Sequence, residues 1–254
     1  MKNAKIRRIL LLLACAVLLV SLSVGATLAY LTSTKTVTNT FTVGKVELKL
    51  DEATVDAETG KAIEDAERTT TGNAKVLMVP GRLIDKDPTV TVLKGSEDCY
   101  VRVKVTVDVS ESWKNDNDKV DGKSFETWVA SFVNYYIRYK AGEGDIRNSF
   151  NVTKWKGNGT PQNPVVDVDA RTLTYSFYYT DTKTGNTVKK SASDTKLEPI
   201  FTHIQVPTSL DEAELALLQG MTINVVAEAI QAEGFTSDDT KTAETKAWEA
   251  FDGK

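Results

Sequence analysis

The sequence predicts a mainly β protein: a jelly-roll-like antiparallel β-sandwich with a few short peripheral helices. Three stretches carry that expectation. From Cys99 to Val109, the odd positions are Cys99 followed by valines, with Arg102, Lys104, Thr106 and Asp108 between them. Strict period-two alternation of β-branched residues is the pattern of a half-buried strand. Thr172 to Tyr179 repeats it, with Leu173, Tyr175, Phe177 and Tyr179 on one face. Met221 to Gln231 is long and apolar, as a central strand is. Many strands with scattered short helices, and no internal repeat, fit a sandwich.

Taken in order, the chain opens on Lys2, Lys5, Arg7 and Arg8, then an apolar run from Ile9 to Val24, then Gly25-Ala26-Thr27-Leu28-Ala29. That is the three-part layout of a secretory signal peptide, with small residues at the −3 and −1 positions for cleavage between Ala29 and Tyr30. Two other readings compete. The apolar run is long enough to serve as an uncleaved anchor, and Leu12-Leu13-Ala14-Cys15 has the form of a lipoprotein box. Polar Thr32-Ser33-Thr34 beyond Ala29 favours cleavage there, and lipidation at Cys15 would leave the apolar run Ala16 to Val20 at the new N-terminus. The expected organisation is therefore a signal peptide over 1–29 and a single sandwich domain over 30–254. The membrane is met only through the uncleaved leader.

Val37, Phe41 and Val43 occupy odd positions, and after Gly44-Lys45 the apolar residues move to even ones, Val46, Leu48 and Leu50. One extra residue at a glycine is what a β-bulge needs, so Val37 to Leu50 reads as a bent strand. Residues 51–73 are charged and threonine-rich, an exposed loop insertion or weak hairpin. Tyr135, Ile137 and Tyr139 mark another strand; Asp181 to Asn186 reads as a turn, with Thr187 to Lys190 returning from it. Three helices interrupt the strands. Ser124 caps one whose Phe125, Trp128, Val129, Phe132 and Val133 form an apolar stripe. Ser209 and Glu212 make a capping box, and Gly220 ends that helix. The last runs from about Asp239 and packs Ala243, Ala247, Trp248 and Phe251 back on the sandwich.

Composition and motifs exclude more than they assign. The chain carries −4, and loss of a leader with four basic and no acidic residues leaves the domain more acidic still. Such a surface does not bind nucleic acid by counterion release. Cys15 leaves with the leader, so Cys99 stands alone without a disulfide partner, and its parity makes it a small buried hydrophobe. His203 is the single histidine, whereas the zinc-protease helix motif needs two. No Gly-x-Ser-x-Gly elbow and no phosphate-binding glycine pattern occur. Ile200, Ile204 and Val206 share the parity opposite to that of His203, so His203 is expected to point outward into solvent. Asp116, Asp118 and Asp121, the pair Asp85 and Asp87, and the pair Asp167 and Asp169 are read as a solvated acidic surface, since the glutamate that closes an EF-hand loop is missing. The tryptophans are assigned to the core. No catalytic residue, cofactor site or metal site is expected.

Several blocks carry a resemblance. Ala29-Tyr30-Leu31-Thr32-Ser33-Thr34 with Val37-Thr38-Asn39-Thr40-Phe41-Thr42-Val43-Gly44 is similar to the signal-to-mature junction of the TasA/camelysin family. Val79-Pro80-Gly81, Lys86-Asp87-Pro88-Thr89-Val90 and Cys99-Tyr100-Val101-Arg102-Val103 resemble its second block, and Ala227 to Phe235 with Trp248 its closing strand and tail. The resemblance implies export through a SipW-type signal peptidase and a secreted place in the extracellular matrix or on the surface of a Gram-positive-type bacterium. It implies a fibre subunit of biofilm whose partner is a second copy of itself, head to tail, alongside other matrix proteins. In such fibres the freed N-terminal segment adds as a strand to the next subunit, a form of β-augmentation. The donor strand here would be residues 30–42, with Tyr30, Leu31, Val37 and Phe41 making the contacts. The alternatives are a camelysin-type secreted metalloendopeptidase, for which the zinc motif is missing, and a monomeric surface adhesin or ligand-binding sandwich that uses loops such as Gly157 to Pro164.

Overall fold

The computed structural model describes residues 32–35, 46–73, 76–157 and 164–253. The expected leader over 1–29, the expected cleavage pair Ala29 and Tyr30, and the expected donor residues Leu31, Val37 and Phe41 lie outside the described residues. In chain order the described elements are β1 (Thr32–Lys35), β2 (Leu48–Asp51), β3 (Leu83–Asp85), β4 (Thr89–Val92), β5 (Cys99–Asp108), α1 (Phe125–Tyr136), β6 (Ile137–Gly142) and β7 (Asp145–Arg147). There follow β8 (Trp155–Gly157), β9 (Val165–Asp167), β10 (Thr172–Tyr179), β11 (Thr195–Lys196), β12 (His203–Gln205), α2 (Glu212–Leu217), β13 (Thr222–Gln231) and α3 (Ala243–Phe251). The strands form three antiparallel sheets: a large one ordered β1-β13-β5-β10-β8 with β9 also on β10, and smaller ones ordered β11-β4-β2 and β3-β12-β6-β7.

The large sheet is built on β5, as its alternation predicts. All ten residues of β13 pair with it, from Thr222 opposite Asp108 to Gln231 opposite Cys99. On the other side β10 pairs from Thr172 opposite Asp108 to Tyr178 opposite Arg102. Cys99 and the valines at 101, 103, 105 and 107 are buried in one continuous core with Leu48 and Leu50 of β2, Val90 and Val92 of β4, Ile204 of β12 and the stripe of α1. The smaller sheets and α1 thus close over the valine face, which makes the molecule an antiparallel sandwich. Burial raises the Cys99 thiol pKa to about 12, which suits a packed hydrophobe and not a nucleophile.

The opposite face of the same sheet is also covered. Tyr100, Tyr178 and Ile230 form a second apolar cluster with Ala247 and Phe251 of α3, and Trp248 stacks on Tyr178 at 4.2 Å. α3 begins at Ala243, later than Asp239, because Thr242 caps it: the Thr242 side chain accepts from Thr245 N–H at 3.1 Å.

Other expectations are corrected. Tyr135 belongs to α1 and is exposed; the helix runs to Tyr136 and passes directly into β6. Ser124 stands at the helix N-cap but makes no cap bond to the backbone; its hydroxyl lies 3.1 Å from that of Thr127. The capping box of α2 is Asp211 with Glu214, two residues beyond Ser209 and Glu212. The same spacing fits both pairs, and the carboxylate makes the stronger acceptor for Glu214 N–H at 2.9 Å. Thr187 to Lys190 does not return along β10; Val188 bridges Cys99 instead. Residues 51–73 make a weak hairpin, with bridges Glu52 to Thr69 and Val55 to Ala62. Its base is buried at Asp51 and Glu52.

Candidate functional site

A sheet margin offers unpaired backbone groups, so the ends of the large sheet are the first places to look for recognition. On one margin the N-terminal strand β1 lies antiparallel on β13, with Thr32 opposite Ile230, Ser33 opposite Ala229, Thr34 opposite Glu228 and Lys35 opposite Ala227. The chain's own N-terminal segment is thus added to the sheet, although nearly the whole domain separates it in sequence from its partner. β1 spans four of the ten residues of β13. The next stretch, Ile223 to Val226, lines a groove of about 300 Å³ whose apolar walls include Leu50 and Pro88.

The far wall of this groove is held by charge. Arg68 Nε donates to Asp51 at 2.6 Å and its Nη1 to Asp87 at 2.8 Å, while its Nη2 donates to the Thr89 hydroxyl at 3.1 Å. Lys86 pairs with Glu52 beside it. Burial works to raise the Asp51 pKa, but the hydrogen bonds from Lys49 and Arg68 outweigh it and hold the carboxyl below the usual range. The acidic residues read as solvated surface are therefore partly engaged. Asp87 belongs to Arg68, Asp85 to Lys61, Asp116 to Arg171 and Asp121 to Lys123. Among the described residues no group of three or more His, Cys, Asp or Glu side chains is arranged to hold a metal ion.

His203 also departs from expectation. It points away from buried Ile204 as its parity requires, yet it is half-buried: Nδ1 sits 2.8 Å from the Thr202 hydroxyl and Nε2 3.5 Å from Asp85. Burial lowers its pKa below 6.5, more than nearby Asp85 raises it. The neutral ring is favoured in the fold, so the unfolded chain takes up the proton first. The stability His203 contributes is present above pH 6.5 and is lost as pH falls toward the lower folded value. His203→Gln is expected to flatten the fall in Tm between about pH 7 and pH 5 relative to wild type. Superimposable pH profiles would mean that the ring is as well solvated folded as unfolded.

The arrangement defines a β-sandwich protein whose N-terminal strand is laid on the margin of its largest sheet. The model of the family described as Camelysin metallo-endopeptidase matches residues 5–127, and over that stretch the resemblance to the TasA/camelysin family is borne out. No curated protein and no solved structure matches the chain. The matched stretch runs from Lys5, upstream of β1, through β5 into α1, so β1 falls inside it and β13 outside.

Proposed function

We propose that the protein is an exported structural subunit of an extracellular biofilm matrix that polymerises by donating its N-terminal strand to the next copy. The single observation that carries this reading is the pairing of Thr32–Lys35 on the margin of β13, immediately after the predicted cleavage point. An N-terminal segment that already adds as a strand in its own molecule has the backbone chemistry to add to another's, and exchange of an identical element between copies is a low-cost route to assembly. Donation from each copy to the next is heterologous and does not close, so it yields open filaments. A SipW-type peptidase would release the segment, which places assembly outside the cell.

Electron microscopy of the processed protein, beginning at Tyr30, against a form beginning at Val43 tests the reading. Filaments are expected from the first and their loss from the second; equal filaments from both would end strand donation. The family's description favours a second reading, a secreted metallopeptidase. That reading requires stoichiometric zinc and chelator-sensitive proteolysis by pure protein, in a chain with a single histidine.

A further inference from the structure

We propose that the weak hairpin over residues 51–73 carries a self-made covalent staple: an isopeptide bond between Lys86 Nζ and Asn73 Cγ, formed with Glu52 as the proton carrier. The inference stands apart from strand donation and needs no second copy.

Glu52 directly follows β2 and is buried, with 6% of its surface exposed. Its two carboxylate oxygens face two nitrogens. Lys86 Nζ, from the link between β3 and β4, donates to Oε2, and Asn73 Nδ2 donates to Oε1 at 2.9 Å. One carboxylate thus holds an amine beside a primary carboxamide. The carboxamide is fixed by further bonds: Nδ2 also donates to the Ala53 carbonyl at 2.9 Å, and Oδ1 accepts from Val55 N–H at 2.8 Å. Amide hydrogen bonds run near the amide plane, so the two faces of Cγ are left for a nucleophile. Lys86 is tethered as well. Its backbone N–H donates to the Thr202 carbonyl at 3.0 Å, and only 21% of its side chain is exposed.

An ion pair at the base of the hairpin would need only Lys86 and Glu52. The third member adds an electrophile, and the acid lies between it and the amine. Those are the parts of an amide exchange: a nucleophile, a base that becomes an acid, and a carbonyl whose oxygen is already held by a donor. Glu52 takes a proton from the Lys86 ammonium, and the freed lone pair of Nζ attacks Asn73 Cγ. The Nζ–Cγ bond forms, and Val55 N–H steadies the oxygen as it gains charge. The Cγ–Nδ2 bond then breaks. Nζ sheds two protons in all, both passing through Glu52 to Nδ2, which leaves as ammonium and restores the carboxylate. One amide replaces another, nothing is oxidised or reduced, and no co-reactant is consumed. Fixed neighbours make such a step effectively unimolecular.

The staple has a place to act. The hairpin rests on two bridges, Glu52 to Thr69 and Val55 to Ala62. Among the described residues the free cysteine is Cys99, buried in the core and far from a disulfide role here. A bond from residue 73 to residue 86 closes a short loop and limits what the unfolded chain can explore, as a disulfide would.

Mass spectrometry of the purified, denatured protein tests it. The wild-type chain is expected about 17 Da lighter than its sequence requires, the mass of one ammonia. After trypsin, peptide 69–75 is expected joined to peptide 83–94, with no cut at Lys86. Lys86→Arg keeps a cation for Glu52 and is expected at its full mass with no joined peptide. Glu52→Gln is expected to slow formation of the joined peptide about a hundredfold or more. The wild-type reading stands even where a variant fails to fold. Wild-type protein at full mass, with peptide 69–75 recovered free and Lys86 cut, would overturn the proposal. A 17 Da loss that persists in Lys86→Arg would overturn it too, since it marks ring closure at an asparagine without the lysine.

Discussion

Arg102→Met destabilises the domain by about 3 kcal/mol, toward the lower end of the range for stripping one partner from a buried ion pair. Arg102 is almost wholly buried, on the face of β5 away from the main core. Its Nε donates to Glu228 of β13, its Nη1 to Asp252 at 2.6 Å and its Nη2 to the Phe251 carbonyl at 2.8 Å, and its guanidinium lies 4.7 Å from the Phe251 ring centre. Methionine keeps the apolar stem and removes the charge. Glu228 is then left nearly buried, with Lys104 at 3.7 Å as its nearest other cation, and that partner is what holds the cost down. The Phe251 carbonyl and Asp252, at the C-terminal end of α3, lose their donors as well. Urea unfolding measures the loss. Pairing Arg102→Met with Glu228→Leu is expected to recover a large part of it, since replacing both members of a buried pair by apolar groups is often close to neutral. A cost under about 1 kcal/mol for the single variant would mean that α3 is not held by this network.

That network also marks where the sequence stops being legible. The valine face of β5 was readable because one face of an alternating strand is apolar and the other polar. The pattern then assigns Arg102 to solvent, and the structure buries it. α3, more than a hundred residues downstream, covers the second face, and no local period encodes a contact at that separation. The burial of Tyr100 and Tyr178 outside the expected faces has the same cause. Of Tyr135, Ile137 and Tyr139, the last two do lie in strand β6 and only Tyr135 was misplaced, for a local reason: Trp128, Phe132 and Tyr136 continue the helical stripe at spacing four, and that longer period prevails up to Tyr136. At the candidate site the alternating threonine-rich segment was legible as a strand, but the strand it pairs with was not. Which strand margin receives Thr32–Lys35, and in what register, depends on the order of the large sheet, which only the fold sets.

Trp128→Ala is expected to cost about 3–5 kcal/mol, the range for removing a large aromatic from a packed core. Trp128 is fully buried and sits at the centre of a chain of rings: Trp113 and Tyr136 at 5.4 Å, Phe132 at 5.1 Å and Phe125 at 6.1 Å. Such contacts add to the area term, and surroundings made of rigid rings collapse poorly into a cavity. The indole also does polar work. Trp128 Nε1 donates to the Tyr136 hydroxyl at 3.1 Å, inside the core, where burial raises that phenol's pKa to about 12 despite this bond. Truncation strands the hydroxyl. Trp128→Phe separates the two effects: it keeps a ring in place and loses the donor, at an expected cost of about 1–3 kcal/mol. Because α1 runs into β6 with no intervening loop, and β6 pairs with β12 through Ile137 and Arg138, loosening the helix should reach that sheet too. Hydrogen exchange in Trp128→Ala is therefore expected to speed up in β6 and β12 well before it does in β5, which is clamped on both sides by β13 and β10. Uniform acceleration across all three strands would mean that the sandwich opens only as a unit, with α1 no more separable than the central valines.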